Sequence, residues 1–244
     1  ATLDIKFYDW YCKYAIWIKN TSFVIEQLEK FKIIKYAKHN SRYIILGGTD
    51  LDIDLAIDAA GGIIERTSNL VETLRQYFDI APIAAKAVFY KKGTPRFFQF
   101  QLSEQPFNDV PEGEVDGFIN LIFSPEKDIL QKAKNASSKC TEAILYGVYK
   151  NTIEIQNYLF EIQKVKQVIT ANKEDKIAVK YLNDILKSNI NLLNHAVMDS
   201  LYSDADNISW FYNGRKLNIN SRQIFNKTLS EICEQVYPSI PVFK

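Results

Sequence analysis

The hydrophobic positions of the first 48 residues follow two different periods. Over residues 7–18, and again over residues 24–31, apolar side chains recur at the three- and four-residue spacing of an amphipathic helix. Residues 32–36 and 42–46 are instead short runs rich in Ile and Tyr, with a polar stretch between them that suits a turn. Helices followed by a two-stranded hairpin are typical of a winged-helix module, which we predict for residues 1–48.

Helical periodicity occupies the next segment, residues 49–93. We expect a first helix that begins at Thr49 or Asp50, because short polar side chains favour helix N-termini. The pair Gly61-Gly62 ends that helix, since glycine is common just past a helix C-terminus. The segment is therefore predicted to be a helical connector between the first module and the rest of the chain.

A βαβ unit is predicted in the third segment. Residues 96–102 alternate aromatic and polar side chains, as a strand with one buried face does. Residues 117–123 and 143–149 are nearly all apolar, which indicates strands buried on both faces of a parallel sheet. Between them, Ser124-Pro125 offers the favoured start of a crossover helix.

The strongest helical signal follows, at about residues 151–202. Two long stretches carry apolar residues at spacings of three and four, separated by a short turn, which predicts an antiparallel helical hairpin. We expect it to form a projecting arm that needs a partner surface. Asn213-Gly214 then predicts a type I′ β-hairpin before a final helix. The fold class is mixed α/β, with residues 94–244 forming one α/β domain that bears the arm.

Composition disfavours some classes of function but does not identify the function. The chain has 30 basic and 29 acidic residues, which disfavours a dedicated nucleic-acid binder but allows a local basic patch. Its three cysteines, Cys12, Cys140 and Cys233, are far apart and suit a reducing compartment. No apolar run approaches the length of a membrane span, so we expect a cytoplasmic protein. The first residue is not Met and the last residues lack a capping pattern, which indicates a piece of a longer protein.

Candidate catalytic and metal chemistries are weak. Four aspartates between residues 50 and 58 start like a calcium loop, but the sixth position is Leu55 and the twelfth is Gly61, so a helix N-terminus explains them better. The chain has no G-x-x-x-x-G-K-[ST] phosphate loop. His39 and His195 are not at metal-ligand spacing with each other or with the cysteines. We therefore expect no cofactor in this part of the protein.

Two clusters of basic residues are the best binding candidates. One surrounds the predicted wing, and the other, which includes Lys86, precedes the strand at residues 96–102. Glu26 and Glu29 on the helix before the wing would repel a DNA backbone, which disfavours sequence-specific groove recognition and favours nonspecific phosphate contact or protein docking. The phosphate-contact candidates are Lys35, Lys38 and Arg42 on the wing and Lys91, Lys92 and Arg96 near the strand.

Two stretches of the chain carry a family resemblance. Residues 229–243, LSEICEQVYPSIPVF, and residues 87–98, AVFYKKGTPRFF, resemble segments of very large bacterial P-loop ATPases of phage-defence islands, the BREX-type ATPase and its relatives. The order of a βαβ unit followed by long helices is also similar. The resemblance implies a region downstream of an AAA+-like core, with ATP and Mg²⁺ bound only in the parent protein. It assigns no role to any residue here.

Three functional hypotheses follow. The leading one is a non-catalytic coupling region of a multidomain ATPase in anti-phage defence, which contacts DNA directly or contacts a partner through the helical hairpin. The alternative is a winged-helix transcription regulator that senses an effector at the carboxyl ends of the strands at residues 117–123 and 143–149. A third is an enzyme in the same crevice, for which polar side chains would converge around Ser124, Glu126 and Lys150.

Overall fold

A computed structural model describes residues 21–31, 33–37, 42–45, 49, 51–66, 69–202 and 207–239. The chain divides into two compact units, of which the first comprises Ala1–Gly62 with Val165–Ser188 and the second comprises Ile63–Lys164 with Asn189–Lys244. The three sequence segments, with boundaries after residues 48 and 93, stay a prediction. The fold is mixed α/β, as expected.

The first unit contains the predicted hairpin. Residues 21–30 are helical (α1), and β1 (Ile34–Ala37) pairs antiparallel with β2 (Arg42–Ile45). The helix expected at residues 7–18 and the turn between the strands lie outside the described residues. The two-stranded hairpin after a helix is thus confirmed, whereas the winged-helix assignment stays a prediction.

A further helix of this unit, α2 (Ile53–Gly61), begins later than expected. Its N-cap is Asp52, whose carboxylate accepts a hydrogen bond from the backbone N–H of Leu55 at 3.3 Å. Thr49 instead uses its hydroxyl to accept a hydrogen bond from the backbone N–H of Leu51, which precedes the helix. The prediction of a start at Thr49 or Asp50 is therefore wrong, while the interpretation of the aspartates as a helix N-terminus is confirmed at Asp52.

The second unit is built on a six-stranded sheet whose strand order equals the chain order. The central strands β4, β5 and β6 are parallel, and every other neighbouring pair is antiparallel. The predicted βαβ unit, strand alternation and Asn-Gly hairpin are confirmed. The strands are β3 (Ile83–Ala84), β4 (Phe97–Ser103), β5 (Gly117–Ile122), β6 (Ile144–Tyr149), β7 (Ile208–Tyr212) and β8 (Arg215–Leu217).

Helices cover both faces of this sheet. The shorter ones are α3 (Leu70–Arg75), α4 (Lys86–Lys92), α5 (Ile129–Lys139) and α8 (Arg222–Val236). On one face, Ile129 and Ala133 of α5 pack into a buried cluster with alternate residues of β5 and β6. On the other, Trp210 of β7 packs edge-on against Phe225 of α8 at 5.4 Å. These apolar contacts hold the two helices to the sheet.

The crossover helix α5 also starts later than predicted. The helix was expected at Ser124-Pro125, but it begins at Ile129, after a loop whose Glu126 pairs with Lys132 of α5 at 2.5 Å. The chain leaves β5 at the end of the sheet, and it must reach the face of the sheet before Ile129 can pack into the buried cluster. The extra loop residues span that distance.

The two long helices are confirmed as α6 (Ile153–Ala171) and α7 (Lys176–Ser200), joined by residues 172–175. Their apolar stripes are buried within the chain, and the expectation of a partner surface on the hairpin stays a prediction. The buried members are Ile155, Leu159, Ile162, Val165 and Val168 of α6 and Ala178, Leu182, Leu193 and Val197 of α7. Among the helices of the described ranges, none is both long and apolar enough to cross a membrane.

Candidate nucleic-acid interface

The wing candidates are only partly placed by the structure. Lys35 lies in β1, and its ammonium is 2.8 Å from a carboxylate oxygen of Asp54 and 3.9 Å from one of Asp52. Arg42 is the first residue of β2, opposite Ala37. Lys38 lies outside the described residues. Because two acidic side chains neutralise Lys35, it is a poor phosphate contact, although the three residues stay candidates.

The β1–β2 hairpin, the predicted wing, has a second face, which the charge pattern did not reveal. Tyr36 and Tyr43 are paired across β1 and β2, and their exposed rings meet edge-to-face at 5.1 Å. Successive side chains of a strand point to opposite faces, so Lys35 lies on the side away from the tyrosines. The wing therefore separates its aromatic residues from this lysine.

The second basic cluster is centred on α4, which the second unit holds firmly. Ala85 and Val88 are fully buried, and the backbone N–H of Ala87 donates to the hydroxyl of Ser230 on α8 at 3.2 Å. Gly93 ends the helix with a left-handed φ of 71°, a conformation that glycine adopts without strain. One side of this short helix is thus fixed against the unit, and the opposite side faces solvent.

The outward side of α4 combines cations with aromatic rings. Lys86 is exposed, and it lies three and four residues before Phe89 and Tyr90, which places the three side chains on one helix face. Phe89 is 45% exposed and Tyr90 is 81% exposed. Lys91 follows on the side nearer α8, and Lys92, one turn after buried Val88, is partly buried. We call Lys86, Phe89, Tyr90, Lys91 and Lys92 the α4 surface.

Sequence reasoning found the lysines of this surface and missed its aromatic residues. The resemblance assigned no role to Phe89 or Tyr90, and the charge pattern selected only the basic residues. A signal existed, because Ala85 and Val88 mark the buried side at a spacing of three, which places Lys86, Phe89 and Tyr90 on the other side.

The ammonium of Lys91 has one acidic neighbour. It lies 3.3 Å from a carboxylate oxygen of Glu234 on α8, and both side chains are solvent-accessible. Exposed ion pairs of this kind contribute about 0–1 kcal/mol, so the lysine can exchange this partner for another anion at little cost. The α4 surface therefore carries three lysines against one paired glutamate.

Arg96 has a different environment from the α4 surface. Its guanidinium forms an ion pair with Asp116 and lies over the ring of Tyr237, 4.8 Å from the ring centre. The Tyr237 hydroxyl donates to the Asp116 carbonyl oxygen at 2.6 Å, and the N–H of Phe97 donates to the Asp116 carboxylate at 2.8 Å. These bonds connect the end of α8 to β4 and β5. They favour a structural role for Arg96 over phosphate contact.

The two alternative hypotheses require a ligand crevice at the carboxyl ends of β5 and β6, and the strand order of the sheet does not favour one there. Ligand crevices in open α/β sheets form where the strand order reverses, and this sheet runs in chain order without a reversal. At the carboxyl ends of β5 and β6, Phe123 stacks on Tyr149 with ring centres 4.3 Å apart. These stacked rings fill the space between the two strand ends.

Glu126, at the same end of the sheet, is already engaged. Its carboxylate pairs with Lys132 and accepts a hydrogen bond from the side chain of Gln105 at 2.8 Å. The hydrogen bond from Lys132 lowers the pKa of Glu126 below its usual value. A carboxylate held ionised in this way is a weak candidate for the general base of an enzyme.

A pocket of about 270 Å³ lies in the first unit, bordered by α1, β1 and the segment before α2. Its wall mixes Glu29 and Lys30 with Lys35, whose charge Asp52 and Asp54 already balance. Opposite charges that neutralise each other within the wall select for no particular ligand charge. The pocket therefore suggests no ligand class.

The described residues form no group of three or more His, Cys, Asp or Glu side chains that could hold a metal ion. Comparisons with protein-family models, curated proteins and solved structures gave no match to this chain. The chemistry of the α4 surface is accordingly the best guide to function.

Proposed function

We propose that this chain is a non-catalytic binding region that contacts nucleic acid through the α4 surface. The observation that carries the proposal is the combination of Lys86, Lys91 and Lys92 with two solvent-exposed aromatic rings on one rigidly held helix. Lysines supply the sequence-independent attraction to phosphates, and exposed rings supply contact with bases. A chain with a net charge of +1 binds this way only through such a local patch.

The position of α4 supports this use. Buried Ala85 and Val88 and the hydrogen bond to Ser230 fix the helix, so binding costs little ordering of its backbone. The lysine side chains extend from that fixed base and can adapt to a phosphate backbone. Such contacts give weak, salt-dependent and sequence-tolerant binding.

The proposal also places this binding in a biological context. The resemblance of residues 87–98 and 229–243 to phage-defence ATPases supports a cytoplasmic coupling region within a larger ATPase, whose core would hold ATP and Mg²⁺. Residues 87–98 include most of the α4 surface. A partner subunit would contact the exposed sides of α6 and α7, because their apolar stripes are already buried.

The proposal is tested by measuring fluorescence anisotropy of labelled duplex and single-stranded oligonucleotides between about 25 and about 200 mM salt. The test variant replaces Lys86, Lys91 and Lys92 by Ala. A matched control replaces three exposed lysines on and beside α5, with the same change in net charge: Lys127, Lys134 and Lys139.

We expect the wild-type chain to bind with an affinity that falls steeply with salt. Each lost phosphate contact reduces the slope of log K against log salt by about 0.7–0.9, so the α4 variant should lose about two to three units of slope. The control variant should keep nearly all of it. Equal losses in the two variants would show that general charge, and not the α4 surface, drives binding. No binding at low salt would refute the proposal.

Glu234→Gln gives a change in the opposite direction. The substitution frees Lys91 from its ion pair and removes the acidic neighbour, so affinity should rise and the salt slope should become steeper. A variant that binds more weakly than wild type would contradict the role given to Lys91.

A further inference from the structure

We infer that the α4 surface prefers single-stranded over double-stranded nucleic acid, with Tyr90 as the ring on which a base stacks. The inference rests on the proposed function and names the ligand class. Its basis is the exposure of the aromatic rings between the lysines, which phosphate attraction alone does not need. Base stacking is available to a single strand, whereas a duplex keeps the faces of its bases inside its own stack.

Tyr90 has the geometry of a stacking platform. At 81% exposure it is the most exposed large apolar or aromatic side chain in the part of the chain that the structure describes. Its ring therefore has an open face for a flat, planar base. Its hydroxyl is compatible with solvent, so a free ring of this kind is tolerated when no ligand is bound.

Phe89 complements Tyr90 without duplicating it. The two ring centres are 5.8 Å apart and the ring planes are inclined by 56°, so one base cannot lie parallel to both rings. Phe89 is also about half as exposed as Tyr90. It serves as a side wall next to the platform, and a single base is the unit that this pair of rings accommodates.

The cations are placed to hold the backbone of the same strand. Lys86 precedes Tyr90 by one helical turn and Lys91 follows it, whereas Lys92 lies further round the helix, one turn after buried Val88. A base on Tyr90 would thus have Lys86 on the same helix face and Lys91 on the adjoining side for its flanking phosphates. This interleaving of cations with a ring is the arrangement by which sequence-tolerant single-strand binders work.

A protein partner fits this surface less well. The exposed parts of Phe89 and Tyr90 together offer roughly 250–300 Å² of aromatic surface. A stable protein interface needs about 800 Å² from each partner. Three lysines around so small an aromatic area match a phosphate backbone better than the mostly apolar core of a protein interface.

The experiment compares Tyr90→Ala with Tyr90→Phe, which keeps the ring and removes only the hydroxyl. Binding is measured by anisotropy with three labelled oligonucleotides of one sequence: single-stranded DNA, single-stranded RNA and the DNA duplex. Because Tyr90 is exposed, both variants should fold normally, and far-UV circular dichroism checks this. The DNA and RNA arms identify which polymer is bound more tightly.

We expect the wild type to bind at least one single strand more tightly than the duplex. Tyr90→Ala should weaken single-strand binding by about 5- to 150-fold, the loss of one stacked base, and should change duplex binding less than about twofold. Tyr90→Phe should bind single strands within about twofold of wild type, because the stacking ring is retained.

Two different failures can be told apart. If the duplex binds as tightly as either single strand, or if Tyr90→Ala weakens both equally, the single-strand inference is wrong and the phosphate-binding function stands. If no oligonucleotide binds at low salt, the proposed function itself is wrong, and the inference falls with it. A protein would then be the partner to seek for the α4 surface.

Discussion

A substitution at Gly147 tests the packing on which the second unit depends. Gly147 lies in β6 directly opposite Trp210 of β7. A Cβ atom added there would lie 2.6 Å from one indole carbon and 3.0 Å from two others, against an optimum of about 3.5–4.0 Å between carbons. The ring cannot easily retreat, because its N–H donates to the carbonyl of Leu201 at 3.2 Å and its edge packs on Phe225.

The expected magnitude combines two opposing effects. Overpacking a well-filled core costs about 1–3 kcal/mol. Alanine recovers about 0.5–1 kcal/mol, because glycine loses more backbone freedom on folding. Gly147→Ala should therefore lower the free energy of unfolding by roughly 0.5–2 kcal/mol. At a typical urea m-value of about 2 kcal/mol/M, the larger loss moves the midpoint down by about 1 M.

The assay is urea denaturation followed by far-UV circular dichroism, which does not depend on tryptophan fluorescence. Trp210→Phe supplies the matched background, because it removes much of the ring that the new Cβ meets. Gly147→Ala should cost less in that background, with a coupling energy of about 0.5–3 kcal/mol between residues in contact. An equal loss in both backgrounds, or no loss in the wild type, would refute the packing argument.

Two further predictions concern titrating groups. Burial raises the pKa of the Cys233 thiol to about 12. We therefore expect iodoacetamide at pH 8 to modify Cys140 and to leave Cys233 unmodified until denaturant is added. Peptide mass mapping measures the labelling, and equal labelling of the two cysteines would contradict this. Hydrogen bonds from the Ala178 N–H and the Thr49 hydroxyl lower the pKa of Asp175. The folding stability that ionised Asp175 contributes is therefore present at neutral pH and is lost as the pH falls through its folded-state pKa. Asp175→Asn should flatten the acid transition in a circular dichroism titration, and identical acid transitions in the two proteins would show that Asp175 is not involved.

Local sequence patterns were sufficient to predict most strands of the sheet. The parallel strands β5 and β6 were recognisable because strands buried on both faces must be apolar throughout, and both are buried along their whole length. The β7–β8 turn was recognisable because Asn213 and Gly214 tolerate the positive φ values that a type I′ turn requires, here 47° and 69°. Each of these signals lies within a few residues of the element that it predicts.

The errors arose where a partner distant in sequence decides the outcome. The start of α5 depends on when Ile129 reaches the cluster on the sheet, and helix-start statistics around Ser124 contain no information about that distance. The environment of Lys35 depends on Asp54, which lies beyond the second strand of the hairpin in the sequence. The apolar stripes of α6 and α7 were predicted from their spacing, but a single sequence does not show which other segments bury them.

The same limit explains why basic residues of similar appearance have different roles. Lys35 is balanced by two carboxylates, and Arg96 connects Asp116 to the ring of Tyr237, 121 residues further along the chain from that aspartate. From the sequence alone, Lys35, Arg96 and Lys91 were equal candidates for phosphate contact, because each lies in a cluster of basic residues. Of these three described residues, Lys91 alone combines a solvent-accessible, weakly held ion pair with adjacent exposed rings. A cation that can exchange its partner at low cost is the one suited to bind a mobile phosphate backbone, and this energetic difference is why the binding proposal rests on α4 rather than on the wing.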